Sequence, residues 1–346
     1  MQQDNPTSQK SETMAENGRR AFVTGGAGFI GSHLVDRLLA DGYAVTIYDN
    51  LSSGDLALTS QHRDNPHFAV VRGDILDAES LTAAMRGHDV VWHLASSTNI
   101  RAGARDTEVD LRCCVIGTRN VLEAMRETGA RQLLFASSGV VYGDFDANPL
   151  EESAGPLLPV SLYGAGKLSA EAFISAYCHL FDIRACSFRF ANVIGERTNH
   201  GVVYDLVMKL LRTPASRELE VLGDGLQRKP YLLAEECVDG MLFAFREVPM
   251  TAARPCDIFN LGTDTSISVG EIAQIVVEEV GRPGVTIRYT GGRRGWAGDA
   301  PVILMGAEKL RRLGWTAQHT STEAVRIAAR RLVVRHASRP VMVGAD

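Results

Sequence analysis

The chain has 346 residues, of which 45% are hydrophobic and 22% charged, and its formal net charge is −5. That is the make-up of a globular protein with one large domain or two unequal ones. With no block of basic residues it argues against nucleic acid or an anionic membrane surface as a partner. No apolar run approaches the length of a membrane span, and the six cysteines (Cys113, Cys114, Cys178, Cys186, Cys237, Cys256) lack CxxC spacing, so they are expected to be reduced thiols of a cytoplasmic protein, not metal ligands or a disulfide framework.

Residues 1–18 are polar and lack the apolar segment of a signal peptide, so a disordered leader is expected there. The apolar run Ala21-Phe22-Val23 then leads into Thr24-Gly25-Gly26-Ala27-Gly28-Phe29-Ile30-Gly31, with helical spacing at Ile30, Leu34, Leu38 and Leu39. A strand ending in glycines that open a helix is the context in which such a motif binds a dinucleotide. Gly25 can take the tight turn, Gly28 lets the backbone approach a pyrophosphate, and Gly31 lets helix and strand pack closely. The first-turn N–H groups then face the phosphates.

A β-rich run over 43–49 ends in Asp49, where a ribose-binding acid belongs. Its charge would repel a 2′-phosphate, and no arginine follows among Asn50, Leu51, Ser52 and Ser53, which favours NAD over NADP. The strand over 68–74 ends at Asp74-Ile75; Asp74 either meets the adenine or caps the helix beginning near Ala78. Residues 90–95 are apolar on successive positions, as in a buried parallel strand, and His93 taken alone is a packed core histidine. The loop over 96–105 then lies at the carboxyl end of the sheet, where ligands bind in this architecture. A helix over 109–127 and a strand over 132–138 follow. Five β-α units in order predict an α/β fold, a Rossmann-type doubly wound parallel sheet.

That fifth strand ends in Ser137 and Ser138, followed by Gly139-Val140-Val141-Tyr142-Gly143. Later, Tyr163-Gly164-Ala165-Gly166-Lys167 enters a helix continuing through Leu168, Ala172, Phe173 and Tyr177. Tyr163 and Lys167 stand on one helical face, one turn apart. A nearby ammonium favours phenolate and is expected to lower the Tyr163 pKa. Tyr163 then serves as general base, with Ser138 holding the substrate hydroxyl. Alone the pair would suggest surface packing; after a dinucleotide site and a serine-ended strand it points to catalysis.

Beyond residue 190 the pattern is less regular. A strand over 184–190, a helix over 201–211 and a short strand near 219–222 lead to a turn over 223–231. There Arg228 and Lys229 either meet phosphate or form a solvated basic turn. Helical spacing recurs over 233–245, 269–280 and 321–334. The expected organisation is a NAD-binding domain over 19–191 with additions from 233–261, a smaller substrate-binding lobe over 192–232 and 262–335, and a loose tail over 336–346.

Taken together, these stretches resemble the extended short-chain dehydrogenase/reductases, in the NAD-dependent nucleotide-sugar epimerase/dehydratase branch. The resemblance rests on residues 24–31 and 49–54, on His93-Leu94-Ala95, on Ser137-Ser138 with Val141-Tyr142-Gly143, and on Tyr163-x-x-x-Lys167. It extends to Arg189-Phe190-Ala191-Asn192-Val193-Ile194-Gly195, to Gly223-Asp224-Gly225 with Gln227, and to Arg294-Gly295-Trp296 with Gly298-Asp299. It implies a catalytic set of Ser138, Tyr163 and Lys167. It implies cofactor contacts at Gly25, Gly28, Phe29, Ile30, Asp49, Asn50, Ser53, Gly54, Asp74, Ile75, Leu94, Ala95 and Lys167. Substrate contacts fall at Ser97, Ser138, Tyr163, Asn192, Val202, Arg228 and Arg294, with Asn192 on the diphosphate and Arg294 gripping phosphate; no metal is implied. A homodimer through helices near 106–127 and 161–181 is likewise what the resemblance leads one to expect.

Single positions then separate the reactions of that branch. Its 4,6-dehydratases carry an Asp-Glu pair where this chain has Gly139 and Val140, neither of which can transfer a proton. Its decarboxylases carry Glu where Val140 stands, and its reductases usually prefer NADP, which Asp49 disfavours. What remains is 4-epimerisation through a transient 4-keto sugar, resembling the UDP-galactose 4-epimerase-like members, with a UDP-hexose as default substrate. The alternatives are another nucleotide sugar (ADP-, CDP-, dTDP- or GDP-linked), a dehydration through the same intermediate, and a non-catalytic NAD-binding regulator. One departure concerns Cys114, which stands where the family usually has Asn. It is either a small buried hydrophobe or a catalytic thiol, and a neighbour or a rearranged helix must replace the hydrogen bonds an amide would make.

Overall fold

The apolar run after the leader forms strand β1 (Arg20–Thr24), and the glycine stretch turns it into helix α1 (Phe29–Ala40). The computed structural model describes residues 18–97, 100, 102–144, 149–293 and 304–337. Strands β2 (Ala44–Asp49) and β3 (Phe68–Arg72) follow, joined through a 3-10 segment, Leu56–His62. Next come α2 (Ala78–Met85), β4 (Val90–His93), α3 (Glu108–Asp110), α4 (Gly117–Thr128), β5 (Gln132–Ser138), α5 (Leu162–Phe181) and β6 (Arg184–Phe190). The remaining chain forms β7 (Asn192–Ile194), α6 (Val202–Arg212), β8 (Glu218–Val221), β9 (Arg228–Lys229), β10 (Tyr231–Leu233), α7 (Ala234–Glu247) and β11 (Cys256–Leu261). It closes with β12 (Ile267–Ser268), α8 (Val269–Glu279), β13 (Thr286–Tyr289), α9 (Glu308–Leu313) and α10 (Ser321–Ala337).

Seven strands pair in parallel in the order β11-β6-β5-β4-β1-β2-β3. The order reverses direction at β1 and β4, and the carboxyl ends there form the switch-point crevice of a doubly wound sheet. Side-chain alternation along β1 divides the interior. Phe22, with Val91 and Phe135, packs toward α2, α4 and α5, whereas Ala21, Val23 and Trp92 pack toward α1 and α7. A separate core joins α6, α8 and α10 with the β8–β13 pair, through Val207, Leu210, Ile272, Val276, Val325 and Ala328. Helix α8 starts with a reciprocal Ser268–Glu271 capping box, worth about 1 kcal/mol.

The structure differs from the sequence expectations at three places. Helix 109–127 is interrupted by wide π-type turns at Leu111–Ile116, where α5 crosses so closely that a Cβ at Gly166 would lie 2.8 Å from Cys114 Cβ. The cap of α2 is Asp77, whose carboxylate accepts from Ser80 N, and not Asp74. Residues 336 and 337 belong to α10 instead of a tail. Residues 1–17 of the expected leader and 338–346 of the expected tail lie outside the described residues. No described helix is long and apolar enough to cross a membrane.

Candidate active site

A cleft of about 930 Å3 opens between the carboxyl ends of the parallel strands and the α6–α8–α10 lobe. One half of it is glycine backbone. Gly25 has φ +72°, a left-handed value that disfavours any other residue, and a Cβ there would lie 2.7 Å from Ala95 N. A Cβ at Gly31 would overlap the Gly25 carbonyl, so α1 can start only with glycine at that point. Gly28 is the N-cap of α1 without a side-chain cap, and with Phe29 and Ile30 it borders the cleft. The open first turn of a twelve-residue helix thus faces the space where a pyrophosphate would lie.

Asp49 is nearly buried at the end of β2 and faces the same cleft. Its carboxylate accepts from Ala27 N (3.0 Å) and Leu51 N (2.9 Å), so it also ties the glycine loop to the strand. Gly54 passes so close that a Cβ would sit 3.0 Å from that carboxylate. Asn50 donates to Asp74 (3.0 Å), and Asp74 also accepts from Leu76 N (2.9 Å). Both line the cleft, as do Ser53, Gly54, Ile75, Leu94 and Ala95. A main-chain phosphate cradle, a carboxylate for ribose hydroxyls and a polar pair beyond it form a donor set that fits NAD. These glycine, acid and strand-end positions are the ones that would hold it.

The other half carries the reactive side chains. Ser138, Tyr163 and Lys167 converge on the cleft. Ser138 Oγ accepts from Val140 N at 3.4 Å. Lys167 Nζ is buried, donates to Ala136 O (2.7 Å), and lies 5.7 Å from the centre of the Tyr163 ring. The expected depression of the Tyr163 pKa is not what this arrangement produces. Burial pushes the phenol up, Cys114 and Asp110 add to the rise, and Ser96 opposes it. Lys167 is pushed down, first by burial, against the pull of Cys114 and Glu171. Desolvation is the largest influence on both groups, and the Lys167 ammonium is held by the Ala136 carbonyl.

His93 is a core residue: its ring nitrogens bond Thr24 Oγ1 (2.7 Å) and Thr118 Oγ1 (3.0 Å), and burial pushes its pKa down to about 3. Ser137 points away from the cleft and donates to Glu171 (2.5 Å), which forms a buried ion pair with Arg189 (2.8 Å). That network joins β5, α5 and β6 beneath Ser138, Tyr163 and Lys167, and sequence reasoning missed it. Glu171 stands one turn after Lys167, and Arg189 interrupts an apolar strand; these are the signals that could have found it.

Among the proposed substrate contacts, Ser97, Asn192 and Val202 border the cleft, with Asn192 Nδ2 donating to Pro230 O (3.2 Å). Arg228 does not. It pairs with Glu271 (2.8 Å) and donates to Ser266 O (2.9 Å), because β9 alternates and points its neighbour Lys229 inward instead. Arg294 lies outside the described residues, as do Trp296, Gly298 and Asp299. Cys114 is buried with its sulfur 3.4 Å from Ser96 Oγ, while Cys113 is the thiol that borders the cleft. Gly139 packs closely on Met305: a Cβ there would sit 3.1 Å from its sulfur, so the methionine would have to shift slightly to admit one.

Comparison with known proteins bears on the whole arrangement. A model of the NAD dependent epimerase/dehydratase family matches residues 21–262. The UDP-glucose 4-epimerase of Mycolicibacterium smegmatis is 35% identical over 268 residues, 76% of this chain and 83% of that protein. A putative UDP-glucose 4-epimerase of Methanocaldococcus jannaschii is 32% identical over 311 residues, 88% and 95% of the two chains. UDP-glucuronic acid decarboxylase 2 of Arabidopsis thaliana is 31% identical over 77% of this chain and 58% of that protein. Among solved structures, a UDP-galactose 4-epimerase superposes with a TM-score of 0.81 at 39% identity, covering 92% of this chain and 99% of that one. The UDP-glucose 4-epimerase of Thermus thermophilus, solved in complex with NAD, gives 0.79 at 28% identity, covering 90% and 98%.

Proposed function

The chain belongs to the NAD dependent epimerase/dehydratase family, and from that premise we propose that it is a nucleotide-sugar 4-epimerase acting on a UDP-hexose. The observation that carries this reading is the convergence of Ser138, Tyr163 and Lys167 on one cleft whose next two positions, Gly139 and Val140, supply no acid. The epimerases among its relatives support a UDP-hexose as substrate.

The residues then divide the work. Tyr163 phenolate takes the proton from the sugar O4 and returns it to the same oxygen after inversion, while Ser138 donates a hydrogen bond to that oxygen. Bound NAD supplies the hydride acceptor and afterwards the donor at C4, so no net oxidation occurs. Asn192 and Lys229 grip the diphosphate end. A firm grip there, with a looser one on the ring, lets the 4-keto sugar turn its other face. The corresponding division of the chain assigns 19–191 with 233–261 to the cofactor, and 192–232 with 262–335 to the nucleotide sugar. Exposed Leu111 and Ile116 on one segment, and Leu162, Phe173 and Leu180 on α5, suit the expected homodimer face, which light scattering tests directly.

Incubation with UDP-glucose or UDP-galactose, followed by mass spectrometry and NMR, tests the reaction. An inverted C4 at unchanged mass is the expected product, and loss of water from these sugars, or of CO2 from UDP-glucuronate run beside them, would sink the proposal. The relatives that decarboxylate UDP-glucuronate point to the alternative, a different reaction through the same 4-keto sugar. The missing acids at 139 and 140 speak against it. Running ADP-, CDP-, dTDP- and GDP-sugars in parallel separates a wrong base from a wrong reaction.

A further inference from the structure

Helix α1 does more than present its first turn to the cleft. Phe29, His33 and Asp36 recur at i, i+4 and i+7, so they share one face of it. The Phe29 and His33 rings meet edge to face at 5.8 Å. Gly195, just after β7, lies against the Phe29 ring, where a Cβ would come within 3.2 Å. Two turns further along the helix, the Asp36 carboxylate accepts from Arg197 Nη2 (2.6 Å). His62 Nε2 (2.6 Å) and Gln61 Nε2 (2.7 Å), from the 3-10 segment, donate to the same carboxylate. Arg197 Nη1 also reaches the Leu58 carbonyl of that segment, at 3.5 Å.

The residue before Arg197 is held from the opposite side. Glu196 pairs with Arg331 of α10 at 3.4 Å, and Arg331 pairs in turn with Glu235 at the start of α7 (2.5 Å). Adjacent residues of opposite charge thus tie one loop to two bodies, Arg197 to α1 and Glu196 to α10. The next five residues, 198–202, all border the cleft. Thr198 closes this turn on itself: its N–H donates to Gly195 O (3.4 Å) and its Oγ1 to His200 O (3.0 Å). A turn bonded to itself moves as a unit, so the anchor at 197 sets where 198–202 stand. An isolated surface ion pair contributes little. Here the arginine side chain is only 18% exposed, and the carboxylate is shared by three donors.

We propose that Asp36 and Arg197 are positioning residues for nucleotide binding: their ion pair holds residues 198–202 where the nucleotide sugar meets them. The inference rests on the nucleotide-sugar reading for the identity of the ligand, and it adds two residues that this reading does not use. Helix α1 then serves both halves of the cleft, the cofactor with its first turn and the nucleotide with the face that ends at Asp36.

Isothermal titration of UDP into the NAD-loaded, full-length protein tests it, with the variants D36A, R197M, D36A/R197M, D36E and R197K. D36A and R197M should each weaken UDP about fivefold. The double variant should be no weaker than either single one, because the two residues act as a pair. D36E and R197K keep the charges but displace them, and should weaken UDP by about twofold. In turnover, KM for UDP-galactose should rise by the same factors with kcat unchanged, as for an interaction made equally in ground and transition states. A merely structural pair would lower the melting temperature and leave UDP affinity where it was. Unmoved affinity in D36A and R197M, or losses that add in the double variant, overturn the proposal. Should the neutral variants fail to fold, unmoved affinity in both D36E and R197K overturns it. If UDP binds but no sugar is inverted, the epimerase reading fails while the titration still decides the role of the pair. If another nucleoside diphosphate binds the parent protein in place of UDP, the same comparison is made with it; if none binds, both readings fall.

Discussion

The two halves of the cleft are made of different material. The cofactor half is mostly main chain: the turn at Gly25, the open first turn of α1, and the strand ends at Asp49 and Ala95. The half proposed to take the substrate is side chain, brought in from Ser138, Tyr163, Asn192 and Lys229 on four separate elements. A backbone surface tolerates almost any side chain pointing away from it but no Cβ pointing in. A side-chain surface has the opposite sensitivity. On the proposed reading, the difference separates a scaffold for holding a common cofactor from a surface that chooses a sugar.

Substitutions can break or sharpen that contrast. The largest expected effect is Tyr163→Phe, which should lower kcat by about 10³-fold while leaving NAD affinity intact, as isothermal titration would show. An equal loss of NAD binding would mean that the halves are not separable. The parent enzyme's own pH profile comes next. Burial holds the Tyr163 phenol above its ordinary value, and the base form is the deprotonated one. On the acid side kcat should therefore rise with pH, by about tenfold per unit; a flat profile from neutral to alkaline pH would remove Tyr163 as the base. In the main-chain half, Gly31→Val forces a side chain against the Gly25 carbonyl. It should cost about 2 kcal/mol of stability, read by thermal unfolding, and weaken NAD binding with it. The smallest effect separates neighbours: Lys229→Ala should raise KM for the nucleotide sugar by about tenfold, and Arg228→Ala by less than about twofold.

The same contrast explains what is legible in the sequence. Strand, glycines and Asp49 lie within one continuous stretch of chain, so spacing alone places them together. Tyr163 and Lys167 are legible because helical periodicity puts both on one face. The choice between Arg228 and Lys229 depends on which way a two-residue strand is turned, and that is set by its pairing with β12 across forty residues. The Ser137–Glu171–Arg189 network needs three elements in register. The direction of the Tyr163 shift escapes the sequence because spacing reports a neighbour's charge but not the water removed from around both groups. Asp36 gives no signal of its own: an acid on a helix face is ordinary until Arg197 is found against it.

The chain passes between the sheet and the smaller lobe at 190–192, at 233–234 and after 261. These passages lie side by side: β7 runs parallel to β10, Ala191 N donates to Leu261 O, and a Cβ at Gly262 would touch the Ala191 side chain. Lobes joined by one strand of chain can swivel freely; lobes joined by a row of them can only rock about the line the row defines. Cutting any one passage would therefore leave the two bodies still tethered by the others.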